Sequence, residues 1–327
     1  MSIVERILTH PDKQTLLVYP QIAEVALYNR YLANLYPATV ASANAKALFK
    51  ALLRPPSTTA FHFHWIGGND KKALIATGIV LLTAAKYRLF QKTVVWTVHN
   101  QAPHNDRYPR LNLGFYRLAA RLANKLHVHG PSAIALMTPT LATPATKFFV
   151  YPHPAYHVHR FSQAQANAIV TELFPTMLAS TACHTVVFVG VISEYKLILE
   201  TLQYLIAHLP RAPYQWLIAG TAKAQEHAYL AALTRFAEQQ AQVHMRVGHL
   251  TDKQVDALHA VASAAVYNYQ NILTSGSVIR ALNCQTLTFA PSLGCLQDLR
   301  DPNLVCFTDL PDLCHLFAQR LPPCQSD

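Results

Sequence analysis

The chain has 327 residues, enough for about two domains of ordinary size. Hydrophobic residues make up 51% and charged residues 13%, which excludes intrinsic disorder, since that state needs the opposite balance. The net charge of +10 calls for an anionic partner, but the basic residues are scattered, as in Lys71-Lys72, Arg107, Arg110, Arg117 and Arg121, and no stripe suited to nucleic acid is present.

The N-terminal MSIVERILTHPDK places acid and base before any apolar run and does not read as a signal peptide. From there, short β-branched runs alternate with longer helical patterns. TLLVYP (15–20) reads as a strand and YNRYLANLY (28–36) as a helix. FHFHWI (61–66) is a strand, 71–90 a helix, TVVWTVH (93–99) a strand and 110–124 a helix. KLHVHG (125–130) is a strand followed by a helix from Pro131, and KFFVYP (147–152) is a strand. The most apolar run, Ala73 to Ala85, has 13 residues where a bilayer span needs about 20, so it is expected to pack on a sheet or lie at a membrane surface.

The pattern then restarts. TVVFVG (185–190), YQWLIAG (214–220), VHMRVGHL (243–250), ASAAVYNY (262–269), TLTFAP (286–291) and LVCFT (304–308) read as strands. Helices are expected at 195–209, 223–240, 251–260, 276–283 and from Pro311 onward. Such alternation implies parallel strands with crossover helices. The expected fold class is therefore α/β, with two Rossmann-like domains: 1–160 and 181–327, joined by a helical linker at 161–180 and facing each other across a cleft. Neither GxGxxG nor GxxxxGK[ST] occurs, so the fingerprints of dinucleotide oxidoreductases and P-loop NTPases are missing, as is the GxSxG elbow of serine hydrolases.

Polar residues cluster where strands end, the place where open α/β sheets bind ligands. In the first half these are His62, His64, Asn69 and Asp70, then His99, Asn100, His104 and Asp106. In the second half, FVGVISEYK puts Gly190 at a strand end and Lys196 at the next helix start, which suits a diphosphate approaching the backbone. YNYQNILTSGSVIRAL puts Ser275, Gly276 and Ser277 at a helix N-terminus, an anion site by dipole and geometry, though a plain N-cap would use the same residues. FAPSLGCLQDL (289–299) adds a Pro/Gly turn after a strand. His-x-His pairs at 62/64, 127/129 and 157/159 raise a zinc reading, but they lie on separate segments without a carboxylate or cysteine to complete a site, and no metal is expected. The six cysteines all fall in the second half without a CxxC pair and read as reduced core thiols.

FVGVISEYK, YQWLIAG and VYNYQNILTSGSVIRALNCQTLTFAPSLGCLQDL resemble the donor-binding half of GT-B glycosyltransferases, and HFHWIGG, WTVHNQAPHN and VYPHPAY resemble the acceptor half. The nearest likeness is to bacterial exopolysaccharide enzymes of the family-4-like group and related β-mannosyltransferases, over about residues 15 to 300. The resemblance implies a hexosyltransferase that needs no metal or other cofactor. It would move a sugar, with mannose from GDP-mannose the first guess, from a nucleotide-sugar to a lipid-linked or polysaccharide acceptor. It further implies that Gly190, Lys196 and Ser275–Ser277 hold the diphosphate, and that His64, Asn100 and His153 line the acceptor cleft. Together with the positive charge, it implies a cytoplasmic enzyme peripheral at an anionic membrane surface.

Two departures bear on mechanism. Many family-4 enzymes carry an arginine where this chain has Ser193, and two glutamates where it has Ile272 and Arg280. Their absence favours inverting relatives, in which a base of the N-terminal half deprotonates the acceptor hydroxyl; His104, His99 and Asp106 are the candidates. The alternatives are a retaining transferase or nucleotide-sugar epimerase of the same architecture, and a non-catalytic GT-B-like partner subunit.

Overall fold

The computed structural model describes residues 2–8, 15–26, 30–102, 106–175, 184–209, 214–223 and 226–322, and the elements below are counted among them. The chain divides into two compact units, Met1–Pro154 with Ile272–Thr274, and Ala155–Asn271 with Ser275–Asp327.

In the first unit the elements run α1 (Ile3–Ile7), β1 (Leu16–Tyr19), α2 (Ile22–Ala26), α3 (Tyr31–Leu35), β2 (Ala41–Ser42), α4 (Ala45–Ala51) and β3 (Ala60–Phe63). They continue with α5 (Lys71–Leu89), β4 (Thr93–Thr97), α6 (Pro109–Leu122), β5 (Lys125–Val128), α7 (Pro131–Leu141) and β6 (Phe148–Val150). The six strands pair in parallel in the order β2-β1-β3-β4-β5-β6. Local chemistry sets the helix starts. Asp70 accepts a hydrogen bond from Ala73 N to cap α5, whose last turn carries Lys86 and Arg88 against the negative end of its dipole. Pro109 and Pro131 open α6 and α7, where a missing N–H costs nothing. The short α1 and α4, started by the Ser2 and Asn44 caps, and the two-residue β2 carry too little periodicity to be read from sequence. Of the helix expected over 28–36, the described residues form α3, while α2 precedes that range and was not expected.

The second unit contains α8 (Gln163–Leu173), β7 (His184–Val189), α9 (Ile198–His208), β8 (Tyr214–Gly220), α10 (His227–Glu238), β9 (Val243–Val247) and α11 (Asp252–Val261). It ends with β10 (Ala264–Val266), α12 (Gly276–Asn283), β11 (Thr288–Pro291), β12 (Leu304–Phe307) and α13 (Leu310–Arg320). Its parallel sheet has the order β12-β11-β10-β7-β8-β9, so the order in which strands are added across the sheet reverses between β7 and β10. That is a topological switch point, where open sheets leave a crevice. One face buries Trp216, Phe289, Phe307 and Phe317 in a continuous aromatic core. The helix expected as a linker is α8, and it packs on α11 of this unit.

The strand expected over 262–269 stops at Val266. Asn268 ends it: its Nδ2 donates to Thr201 Oγ1 and its Oδ1 accepts from Tyr269 N, a local arrangement that competes with the ladder. Of the described cysteines, Cys295 is buried and Cys284 and Cys314 are half-buried. Cys306 is exposed, which corrects its reading as a core thiol, because its side chain alternates outward on β12.

Candidate active site

The second unit brings three of the expected diphosphate residues together at its switch point. Gly190 follows β7 with φ +126°, and a Cβ there would lie 3.2 Å from Lys196 Nζ and 3.3 Å from Ser277 Oγ. The lysine ammonium and the serine hydroxyl thus converge on one bare backbone position. Gly220, at the end of β8, is required for the same turn, because a Cβ would fall 1.7 Å from the Gly190 carbonyl oxygen. The turn after Gly190 is a 3-10 segment, Glu194–Lys196, followed by Leu197 at φ +48° and then α9, rather than the continuous helix expected over 195–209.

Lys196 is only 8% exposed, and burial lowers its pKa from the usual lysine range to about 8. No carboxylate forms a salt bridge with it among the described residues; the Tyr269 ring lies 6.0 Å from its Nζ. With Val189, Val191, Val266, Tyr267 and Asn268 it lines a pocket between the ends of β7 and β10. A buried cation without a counter-ion is costly unless an anion joins it. The Ser275 hydroxyl caps α12 through Val278 N and meets the Tyr269 hydroxyl at 2.7 Å, so it shapes the turn, whereas half-buried Gly276 and Ser277 stand at the first positions of the helix.

Ser193 is buried and donates to Glu226 Oε1 at 2.5 Å, while Glu194 N donates to Oε2 at 3.1 Å, so a buried carboxylate pins the turn where many family-4 enzymes carry arginine. Sequence reading missed Glu226, which lies outside every motif. Arg280 is committed elsewhere: it donates to Asp252 at 2.6 Å and to buried Asp256 at 2.8 Å, tying α12 to α11. Asp256 also receives the His159 backbone N–H and ring Nδ1, which accounts for one member of the third His-x-His pair. Ile272 is buried.

In the first unit, one sheet face carries histidines. Strand alternation and the pairings Val18↔His62, His62↔Val95, Thr97↔His127 and His127↔Phe149 put His62 and His64, Thr97 and His99, and His127 and His129 on a single side. Tyr31 and Tyr36 of the α3 region cover them. The Tyr36 hydroxyl lies 2.5 Å from His62 Nδ1 and 2.8 Å from His64 Nε2. His62 Nε2 is 2.7 Å from Thr97 Oγ1, which is 2.9 Å from His127 Nδ1. His64 Nδ1 meets His99 Nε2 at 3.0 Å, and His127 Nε2 meets the Tyr151 carbonyl at 2.9 Å. Burial, reinforced by neighbouring rings, lowers the pKa of His62 to about 3 and those of His64, His99, His127 and His129 well below the usual histidine value. Burial holds His153 at about 4; its Nδ1 donates to the Pro154 carbonyl, and its ring stands 4.9 Å from that of Tyr31.

Two of the three His-x-His pairs thus meet in one network with His99, although they are distant in sequence. Ring nitrogens that hydrogen-bond one another are not arranged around an ion, and no group of three or more His, Cys, Asp or Glu suited to a metal exists among the described residues. Of the candidate bases, His99 ends the network and is 8% exposed. The Asp106 carboxylate accepts from Asn112 Nδ2 at 2.6 Å and from Tyr108 N, bracing the loop. Asn112 in turn bonds both backbone groups of Gly68. His104 lies outside the described residues. His64, expected to line the acceptor cleft, is instead fully buried with both ring nitrogens bonded, which leaves no polar atom for an acceptor, while Asn100 is half-buried.

No protein-family profile matches the chain, and no curated protein sequence does so significantly. Solved structures do match. HepE of Anabaena, in complex with UDP and glucose, superposes with a TM-score of 0.69 at 13% identity, over 94% of this chain and 91% of that one. Sucrose-phosphate synthase from Thermosynechococcus elongatus gives a TM-score of 0.63 at 17% identity over 84% and 67%. The catalytic domain of starch synthase IV from Arabidopsis thaliana, bound to ADP and acarbose, gives 0.60 at 12% over 85% and 69%. With its two parallel six-stranded sheets and crossover helices, the chain has the GT-B fold of α/β glycosyltransferases.

Proposed function

We propose that the protein is a glycosyltransferase that moves a hexose from a nucleotide-sugar to an acceptor hydroxyl without a metal ion. The observation that carries the reading is Lys196, a buried cation without a salt bridge among the described residues, beside the bare Gly190 turn and with the Ser277 hydroxyl converging on the same point. A diphosphate would supply the missing countercharge, and the N-terminus of α12 would add its dipole. These groups do at a leaving diphosphate what a divalent cation does elsewhere: they stabilise the charge that develops as the sugar departs. His99 takes the acceptor proton, and the anomeric carbon inverts.

HepE is described with UDP-glucose as well as UDP, so UDP-glucose joins GDP-mannose as a donor to be tested. The acceptor in this reading is lipid-linked or a polysaccharide. A stripe on α5 supports work at an anionic membrane: Ile75, Leu82 and Leu89, seven residues apart, are 65%, 59% and 80% exposed, next to Lys71 and Lys72 at the helix start. No helix among the described residues is long and apolar enough to cross a membrane.

Calorimetric titration with UDP, GDP and ADP, each with and without its sugar, tests the reading first. Binding of one nucleoside diphosphate in the absence of divalent cations, lost in Lys196→Ala, is expected. Absence of binding across the panel in folded protein refutes it. NMR of the product then assigns the stereochemistry: an inverted anomer is expected, and a retained one assigns His99 a contact with the donor sugar.

A further inference from the structure

The histidine face of the first unit has a direction that can be read from its terminal acceptor. A backbone carbonyl only accepts, so His127 must donate to the Tyr151 oxygen from Nε2. The rings of this network face other rings, hydroxyls and carbonyls, and no acidic partner bonds them among the described residues, so each is a neutral imidazole with one N–H. His127 Nδ1 is then an acceptor, and Thr97 donates to it. Thr97 in turn accepts from His62 Nε2, which makes His62 Nδ1 the acceptor of the Tyr36 hydroxyl. Tyr36, having given its only proton, accepts from His64 Nε2. His64 Nδ1 is left as a lone pair, and the group that faces it, His99 Nε2, must donate. A branch follows the same logic: His129 donates from Nδ1 to the same carbonyl at 3.2 Å, and the Tyr31 hydroxyl donates to His129 Nε2 at 3.1 Å.

We infer that Tyr36, His62, His64, Thr97 and His127 form a one-way hydrogen-bond relay that fixes His99 as the Nε2–H tautomer, with its basic lone pair on Nδ1. Each of the five is a positioning residue. His99 is the most exposed member, at 8%, against 0% for His62, His64, Thr97 and His127 and 4% for Tyr36, so a proton enters at this end. Among the described residues the groups facing His99 are Tyr31, Trp65, His64, His129 and His153, with no carboxylate to pull the proton onto Nδ1.

When Nδ1 of His99 takes a proton, the charge stays on His99, the most exposed ring of the network, because fully buried His62, His64 and His127 have no counter-ion among the described residues to stabilise it. The role of this relay in catalysis rests on the transferase reading, but the tautomer itself does not.

Long-range ¹H–¹⁵N correlation spectra of histidine-labelled protein at neutral pH test the relay without any substrate. The expected result is His99 with a protonated Nε2 and an unprotonated Nδ1. In Tyr36→Phe, which keeps the ring and removes the hydroxyl, His64 loses its acceptor and the His99 Nδ1 signal is expected to move toward the protonated position. Thr97→Val breaks the wire at a second point and is expected to move the same signal; it decides the matter if Tyr36→Phe does not fold. A His99 protonated on Nδ1 in the wild type, or an Nδ1 signal unmoved in a folded variant, overturns the relay. A correct tautomer in a protein that transfers no sugar leaves the relay standing and refutes the transferase reading instead.

Discussion

Lys196 owes its lowered pKa, about 8, to burial alone, and that makes its behaviour toward an anion testable. A bound diphosphate favours the charged form and raises the pKa again. Above pH 8, therefore, binding must take up a proton, and affinity is expected to weaken as pH rises. Titrations in buffers of different ionisation heat would reveal that uptake, and heats independent of buffer at pH 9 would contradict it. Lys196→Ala removes a charge-assisted contact of about 1.5–3 kcal/mol, which corresponds to roughly 10- to 150-fold weaker nucleoside diphosphate binding. His99→Ala is expected to keep that binding, since its residues lie in the other unit, while turnover falls by about 10²–10⁴-fold. The rate should persist below pH 6.5, because burial holds the His99 pKa beneath the ordinary value.

At the scale of elements, α12 separates a cap from a ligand contact. Ser275 closes the helix N-terminus and partners the buried Tyr269 hydroxyl. Ser275→Ala is expected to cost about 0.5–2 kcal/mol for the cap, seen as a lower urea midpoint. Ser277→Ala is expected to leave that midpoint in place and weaken diphosphate binding; the opposite assignment would exchange their roles. On α5, exposed Ile75, Leu82 and Leu89 form one stripe. Replacing all three by serine is expected to abolish flotation with anionic vesicles at low salt without changing nucleotide binding. Flotation that is equal for anionic and neutral vesicles would remove the membrane from the reading.

For the molecule as a whole, the histidine face makes stability depend on acid. The folded pKa values lie below the unfolded value of about 6.5, so below that pH the unfolded chain binds more protons. The stability that neutral burial supplies is present above pH 6.5 and is lost as pH falls toward the folded values. Each histidine contributes up to about 1.4 kcal/mol per pH unit in that window. A thermal midpoint markedly lower at pH 5.5 than at 7.5 is expected, and equal midpoints would show the rings to be solvated.

The alternation of strands and helices is legible along the chain, because strand and helix periods are local. α5, β8 and α12 fall where Asp70, the YQWLIAG run and Ser275 put them. Gly190 after a strand and Ser277 in the first turn of a helix are legible in the same way, since both positions are set by residues close in sequence. Which side chains face one another is settled by packing across the sheet. Asp106 and His64 look alike as polar strand-end residues, yet one braces a loop against Asn112 and the other is sealed beneath Tyr36. Strand pairing brings His62, Thr97 and His127 into one line across the sheet, although they are about thirty residues apart along the chain. Hydrogen-bond direction depends on the one group that cannot donate, the Tyr151 carbonyl. No window of the chain contains that acceptor together with His99, so the tautomer is a property of the fold.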